Sequence, residues 1–206
     1  MMNELIERYP CLASCTDDIG AAEKMLIECY SAGGKLLVCG NGGSSADADH
    51  IVGELMKGFK KPRRLSDEKK AQMKKVCPEI SDSTLSLLQM GLPAISLSSA
   101  TALNTAFSND ESAELVFAQS VFALGKAGDV LIAISTSGNS HNVVEAVKCA
   151  KAIGMKTVGL TGIGGGELKK LCDVCITAPE RETYKVQELH LPVYHYICAR
   201  LEEYFF

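Results

Sequence analysis

The chain has 206 residues, 47% of them hydrophobic and 22% charged, with a formal net charge of −4, a balance that predicts one soluble domain with a full-sized core. No apolar run approaches the roughly 20 residues a membrane helix needs, and Met1 to Tyr9 lacks the basic start, apolar middle and cleavage site of a secretory leader, so a cytoplasmic protein without membrane contact is expected. Nine cysteines, an odd number scattered through apolar segments (Cys29, Cys39, Cys149, Cys198), read as reduced packing residues and not as a secreted disulfide framework.

Residues 1–33 form a helical N-terminal segment in this reading, with Thr16 or Asp17 capping a helix that runs to about Ser31 and stops at Gly33-Gly34. The buried run Lys35 to Cys39 predicts the first strand, and a helix follows from near Ala46. A basic insertion then occupies about 57–90. Between Lys57 and Lys75, nine basic residues stand against Asp67 and Glu68, a local charge of +7 that leaves −11 on the rest of the chain. Such a stretch attracts an anion or is a solvated excursion; with only Phe59 available to stack, a nucleic-acid partner is not expected. Further on come a strand at Ala94 to Leu97, a helix from about Ala113 to Leu124, a strand at Asp129 to Ile134, and a helix from about Ser140 to Ile153. Strands at Lys156 to Leu160 and Asp173 to Thr177 complete the set, and Thr183 to Tyr204 is helical, with Pro192 predicting a kink or a late start. This alternation predicts an α/β fold, a doubly wound parallel sheet flanked by helices on both faces, in one domain spanning 1–206. Cys172 and Cys175, at the last strand with no second such pair, read as packing.

Chemistry concentrates at two strand ends. The first strand opens into Gly40-Asn41-Gly42-Gly43-Ser44-Ser45 at a helix N-terminus, an anion site. It departs from the dinucleotide fingerprint at Ser45, and the region about 20 residues on is basic where a ribose-binding acid is needed, so no nucleotide cofactor is expected. The strand ending at Ile134 opens into Ser135-Thr136-Ser137-Gly138-Asn139-Ser140, whose four hydroxyls suit one phosphoryl group. Because ligands of open parallel sheets sit at the carboxyl ends of the strands, a small phosphorylated molecule is the expected guest. His50 and Glu54, at i and i+4, share a helix face and can move protons or hold a metal. Near the other end, Gln187, His190 and His195 interrupt an otherwise apolar segment.

The run Cys39 to His50, the loop Ile134 to Ser140, Asn109-Asp110, and Gln187-Glu-Leu-His190 followed by His195 resemble the sugar isomerase (SIS) domain, flavodoxin-like in fold, and within it the phosphoheptose isomerases. The resemblance implies isomerisation of sedoheptulose 7-phosphate to the heptose 7-phosphate aldose by a homotetramer with active sites between subunits. It places phosphate on Ser44, Ser135, Thr136, Ser137 and Ser140. Sugar hydroxyls fall near Asn41 and Asp110, Gly42, Gly43 and Gln187 also line the substrate or phosphate site, and Glu54 and His195 become the proton-transfer pair. It also implies zinc on His50, Glu54, Gln187 and His195. Gln187 and His195 lie roughly 12 Å apart on a straight helix, so both reach one ion only if Gln187 precedes the helix or Pro192 bends it.

Two departures from the family pattern bear on substrate choice. Lys57-Gly58 stands where the relatives carry an Arg shortly after the glutamate, and Tyr184 replaces an acidic residue three positions before the Gln. The rival readings are a non-catalytic SIS protein acting through a partner such as the replication initiator, and a sensor domain of a transcription regulator. The first lacks the Glu and His that this chain keeps; the second needs a helix-turn-helix module that a chain filled by one domain has no room for.

Overall fold

The computed structural model describes residues 1–206. Five parallel strands, β1 (Leu36–Gly40), β2 (Ala94–Ser96), β3 (Val130–Ile134), β4 (Lys156–Thr161) and β5 (Val174–Thr177), form one sheet in the order β2-β1-β3-β4-β5. The helices are α1 (Met2–Arg8), α2 (Thr16–Ser31), α3 (Gly43–Met56), α4 (Asp67–Val76), α5 (Asp82–Leu87), α6 (Thr101–Phe107), α7 (Val116–Leu124), α8 (His141–Ala152), α9 (Gly166–Leu171) and α10 (Thr183–Phe205). Each strand ends within a residue or so of its expected place, because continuous apolar runs bounded by turns are what a doubly covered sheet requires.

Every residue of β1 and β3 is buried, and their side chains divide by parity. Leu36, Val38, Val130, Ile132 and Ile134 face a core shared with Ile19 and Leu26 of α2, Ile51 and Leu55 of α3, and Val193, Ile197 and Leu201 of α10. Leu37, Cys39, Leu131 and Ala133 face the other core, with Phe117 and Val121 of α7, Val143 and Val147 of α8, and Leu168 of α9. Each such aliphatic side chain removed from water contributes about 1.5–3 kcal/mol, so both faces hold the sheet. Cys39, Cys175 and Cys198 are buried and unpaired, and Cys172 is half-buried; burial pushes the Cys172 thiol up to about 12.

Several helix boundaries differ from expectation. Neither Thr16 nor Asp17 caps α2: a 3-10 turn over Pro10–Cys15 leads directly into it, Cys15 takes the cap position, and the Thr16 hydroxyl donates to the Ala13 carbonyl. Asp17 and Asp18 instead lie in the first turn, where the helix dipole favours them. α3 starts at Gly43 and not near Ala46, so the serines of the first loop already belong to the helix. α7 begins at Val116, preceded by α6 and a π turn over Ser108–Ser112 that lack the apolar periodicity by which a helix is read. α10 runs unbroken from Thr183 through Pro192, so the expected late start is absent.

The basic insertion is a two-helix arm. Ser66 caps α4 and Ser81 caps α5, Lys74 pairs with Asp82 across them, and α4 buries none of its residues. The arm closes at a neck where Arg64 bridges Gln89 in antiparallel fashion and the Met90 N–H donates to the Arg63 carbonyl at 2.7 Å.

Candidate active site

In a sheet of this strand order, the crevice opens where β1 and β3 send their connections to opposite faces. Both hydroxyl-rich loops leave from those two strands. After β1, Gly42 adopts φ +55° and α3 begins at once, with the Ser44 and Ser45 amides bonded back to the carbonyls of Asn41 and Gly42. After β3, Ser135 is buried, and its Oγ lies 2.9 Å from Ser140 Oγ and 3.5 Å from Ser137 Oγ. The Asn139 amide donates to Ser137 Oγ at 3.2 Å, and Ser140 takes the cap position of α8. Asn41 and Asn142 exchange two amide hydrogen bonds, 2.8 and 3.0 Å, which tie the first loop to the start of α8. The result is a cradle of small hydroxyls and backbone amides at two helix N-termini, suited to a phosphate dianion.

The other half of the site is the seam between α3 and α10. A Cβ on Gly43 would lie 2.6 Å from Gln187 Nε2, so a glycine is required for the Gln187 amide to rest on the first loop. One to two turns along α3, the Tyr194 hydroxyl donates to Asp47 Oδ1 at 3.1 Å and lies 3.0 Å from His50 Nδ1. Its single hydrogen goes to Asp47, so it accepts from His50 Nδ1–H. His50 Nε2 lies 3.2 Å from Glu54 Oε1 and 3.4 Å from His195 Nε2. Glu54 Oε2 is buried without a hydrogen bond, with Lys57 Nζ at 3.5 Å. Burial, with His50 beside it, holds His195 below the usual imidazole range against the pull of Glu54, so its ring is neutral near pH 7. On its other side His195 borders a cleft of about 530 Å³, lined also by Tyr9, Phe59, Leu191 and Tyr196. That cleft lies away from the hydroxyl cradle, whose geometry marks the anion site more directly than cavity size does.

A phosphate cradle and a carboxylate–imidazole cluster on one helix are the parts of a sugar-phosphate site, and comparisons with known proteins agree. The SIS domain family matches residues 3–86 and 70–162. A phosphoheptose isomerase of Nitratiruptor sp. is 42% identical over 187 residues, 91% of this chain and 86% of that protein. The chain belongs to the phosphoheptose isomerase family. The solved structure of the phosphoheptose isomerase GmhA from Neisseria gonorrhoeae superposes with a TM-score of 0.77 at 32% identity, over 98% of this chain and 95% of that one. A phosphoheptose isomerase from Francisella tularensis does so at 0.78 and 30%, over 98% and 94%.

Within this phosphoheptose isomerase fold, Ser135, Ser137 and Ser140 come together in the second loop, and His50, Glu54 and His195 in the cluster; Ser44 is buried in the first turn of α3 and Thr136 is half-buried next to Ser135. Gln187 rests on Gly43 one rung away from that cluster. Asp110 does not join either group; it is exposed in the π turn and its side chain meets only that of Asn109. Asn41 is present, but its amide is occupied by Asn142. Asp47, Tyr194 and Asn142 were not singled out from sequence. Asp47 lies three residues before His50, a spacing that puts both on one face and could have drawn attention, whereas Tyr194 and Asn142 owe their roles to tertiary contacts alone.

Proposed function

We propose that this chain is an aldose–ketose isomerase that converts sedoheptulose 7-phosphate to D-glycero-D-manno-heptose 7-phosphate. The observation that carries the reading is the shared helix α3: its N-terminus forms half of the phosphate cradle, and Glu54 follows ten residues later, about 15 Å along the axis. A terminal phosphate anchored at the first end leaves an open-chain sugar extended along the helix towards the carboxylate. Glu54 takes a proton from C1 of the ketose while O2 gains one from the His195 side, giving an enediol. Loss of the O1 proton and delivery of a proton to C2 then complete the aldose. The neutral ring of His195 suits this exchange, since it carries a donor on one nitrogen and an acceptor on the other.

Zinc belongs to the same reading. His50 Nε2 lies 3.2 Å from Glu54 Oε1 and 3.4 Å from His195 Nε2, two separations near the roughly 3.3 Å edge of a tetrahedron with zinc bonds of about 2.0–2.1 Å. The Tyr194 bond to His50 Nδ1 is the kind of outer contact that orients a metal-binding imidazole. No group of three or more His, Cys, Asp or Glu side chains is arranged to hold an ion, so the fit is pairwise, and Gln187 would have to leave Gly43 to serve as a fourth ligand. Bound there, zinc would polarise the sugar carbonyl. A homotetramer with sites between subunits accommodates the outlying Asp110, which a neighbouring copy would then bring to the sugar. Cytoplasmic location remains part of the proposal, and no helix is long and apolar enough to cross a membrane.

Incubating the purified protein with a panel of ketose phosphates, with and without chelator, and following aldose formation by NMR tests the reading. Turnover of sedoheptulose 7-phosphate is expected. Turnover of a different ketose phosphate alone would reassign the substrate, and none at all would leave a binding protein.

A further inference from the structure

We propose that the buried pair Arg63–Glu202, formed by a residue of the basic stretch and one near the end of α10, is a positioning device for isomerisation that sets the approach of Glu54 to His195. The proposal rests on the assignment of those two residues as the proton-transfer pair. Both partners are out of contact with water, at 0% and 1% side-chain exposure, with Arg63 Nε 2.8 Å from Glu202 Oε1. The guanidinium also donates to the carbonyl of Glu54 itself (3.0 Å) and to that of Leu55 (2.6 Å), at the end of α3 where carbonyls lack partners within the helix. The backbone of the residue that bears the base is therefore held from its C-terminal side.

The Glu202 carboxylate has a second set of donors, the successive amides of Phe59, Lys60 and Lys61 at 2.8, 2.7 and 3.0 Å. These fix the turn that carries Phe59, whose ring lies 5.5 Å from that of His195. One carboxylate thus steadies Glu54 through Arg63 and His195 through Phe59. Along the seam it is the third rung after Gly43–Gln187 and His50–His195, and it stands seven residues beyond His195, about 10 Å along α10 and on the same face. A buried ion pair contributes little net stability compared with apolar side chains of similar size. What this one supplies is a fixed register between the two helices that must meet at the substrate.

The test is a kinetic comparison of Arg63→Lys, Glu202→Gln and Glu54→Gln, with the first two also built into the Glu54→Gln background. Lysine keeps the charge beside Glu202 but cannot reach both carbonyls. For variants whose circular dichroism and melting show a folded protein, kcat for sedoheptulose 7-phosphate is expected to fall about 10- to 100-fold, the scale of a misplacement near 1 Å, with KM within about 2-fold. Against the residual rate of Glu54→Gln, the Arg63 change should cause little further loss, and the Glu202 change only the smaller part that it exerts through Phe59 and His195. Wild-type kcat in folded Arg63→Lys, or losses that add fully to that of Glu54→Gln, would overturn the proposal, and Arg63→Lys decides it if Glu202→Gln does not fold. If Glu54→Gln itself retains full activity, the assignment of the base fails instead.

Discussion

The cradle and the seam solve different problems with different materials. The cradle is made of glycines, serines and backbone amides at the rim of the sheet, with short side chains bonded to one another and ready to turn to a ligand. The seam is made of long side chains, Asp47, His50, Glu54, Arg63, Tyr194, His195 and Glu202, joined across two helices by charge and hydrogen bonds. Binding energy belongs to the first and chemistry to the second, so mutations in the two regions should separate in their kinetics.

The largest effect should come from Glu54→Gln, which keeps the shape and removes the base: kcat is expected to fall at least about 100-fold, with the affinity for a competitive sugar phosphate unchanged by calorimetry. A parallel loss of that affinity would mean that the two regions are not separable. The inner face of α10, against the sheet, carries acid sensitivity. His190 of α10 is fully buried, with Nε2 at 3.1 Å from the Thr161 carbonyl at the end of β4, and burial lowers it to about 4. An unfolded histidine takes its proton near 6.5, so the stabilisation present above that value is lost as pH falls from 6.5 towards 4. The loss by pH 4.5 is about 2 to 3 kcal/mol. Urea unfolding at pH 7 and 4.5 should show a smaller drop for His190→Gln, which keeps a donor for Thr161; an equal drop would place the acid-labile group elsewhere.

At the cradle, Ser137→Ala with Ser140→Ala should raise KM about 10-fold or more and leave kcat less affected, since a remote phosphate supplies mainly uniform binding. A fall in kcat alone would contradict the division. The smallest effect is expected from the basic stretch, whose lysines steer an anion towards an otherwise acidic body. Replacing Lys60, Lys61, Lys69 and Lys70 by Gln should lower kcat/KM a few-fold at low ionic strength, and the difference should vanish as salt screens it over about 8–10 Å. Loss of a salt-dependent affinity for duplex DNA, with catalysis untouched, would assign that stretch to another partner.

The sheet and the cradle could be read from sequence because both are local: apolar runs mark strands, and Gly and Ser where a strand meets a helix mark an anion site. The His50–Glu54 pair was legible for the same reason, since four residues on a helix is a contact by construction. Arg63 was not. It lies among eight other cations, and nothing in that run tells the one that turns inward to meet Glu202, 139 residues away in the chain, from those left in water. The Asp47–Tyr194–His50 chain and the Asn41–Asn142 exchange likewise depend on which helices become neighbours. The start of α3 at Gly43 is not legible in the sequence, because a Gly- and Ser-rich run reads as loop even where it forms the first helical turn.

The neck of the arm joins Arg64 to Gln89 as directly paired neighbours, so the chain re-enters the fold beside the point where it left. Of the residues between them only Leu65 and Leu85 are buried. The arm is in this sense a cassette: a short turn could span the same two positions, and the sheet, the cradle and the Arg63 anchor just inside the neck would keep their own contacts. A change of length there would leave the catalytic interior in place, so one fold can carry different external surfaces over it.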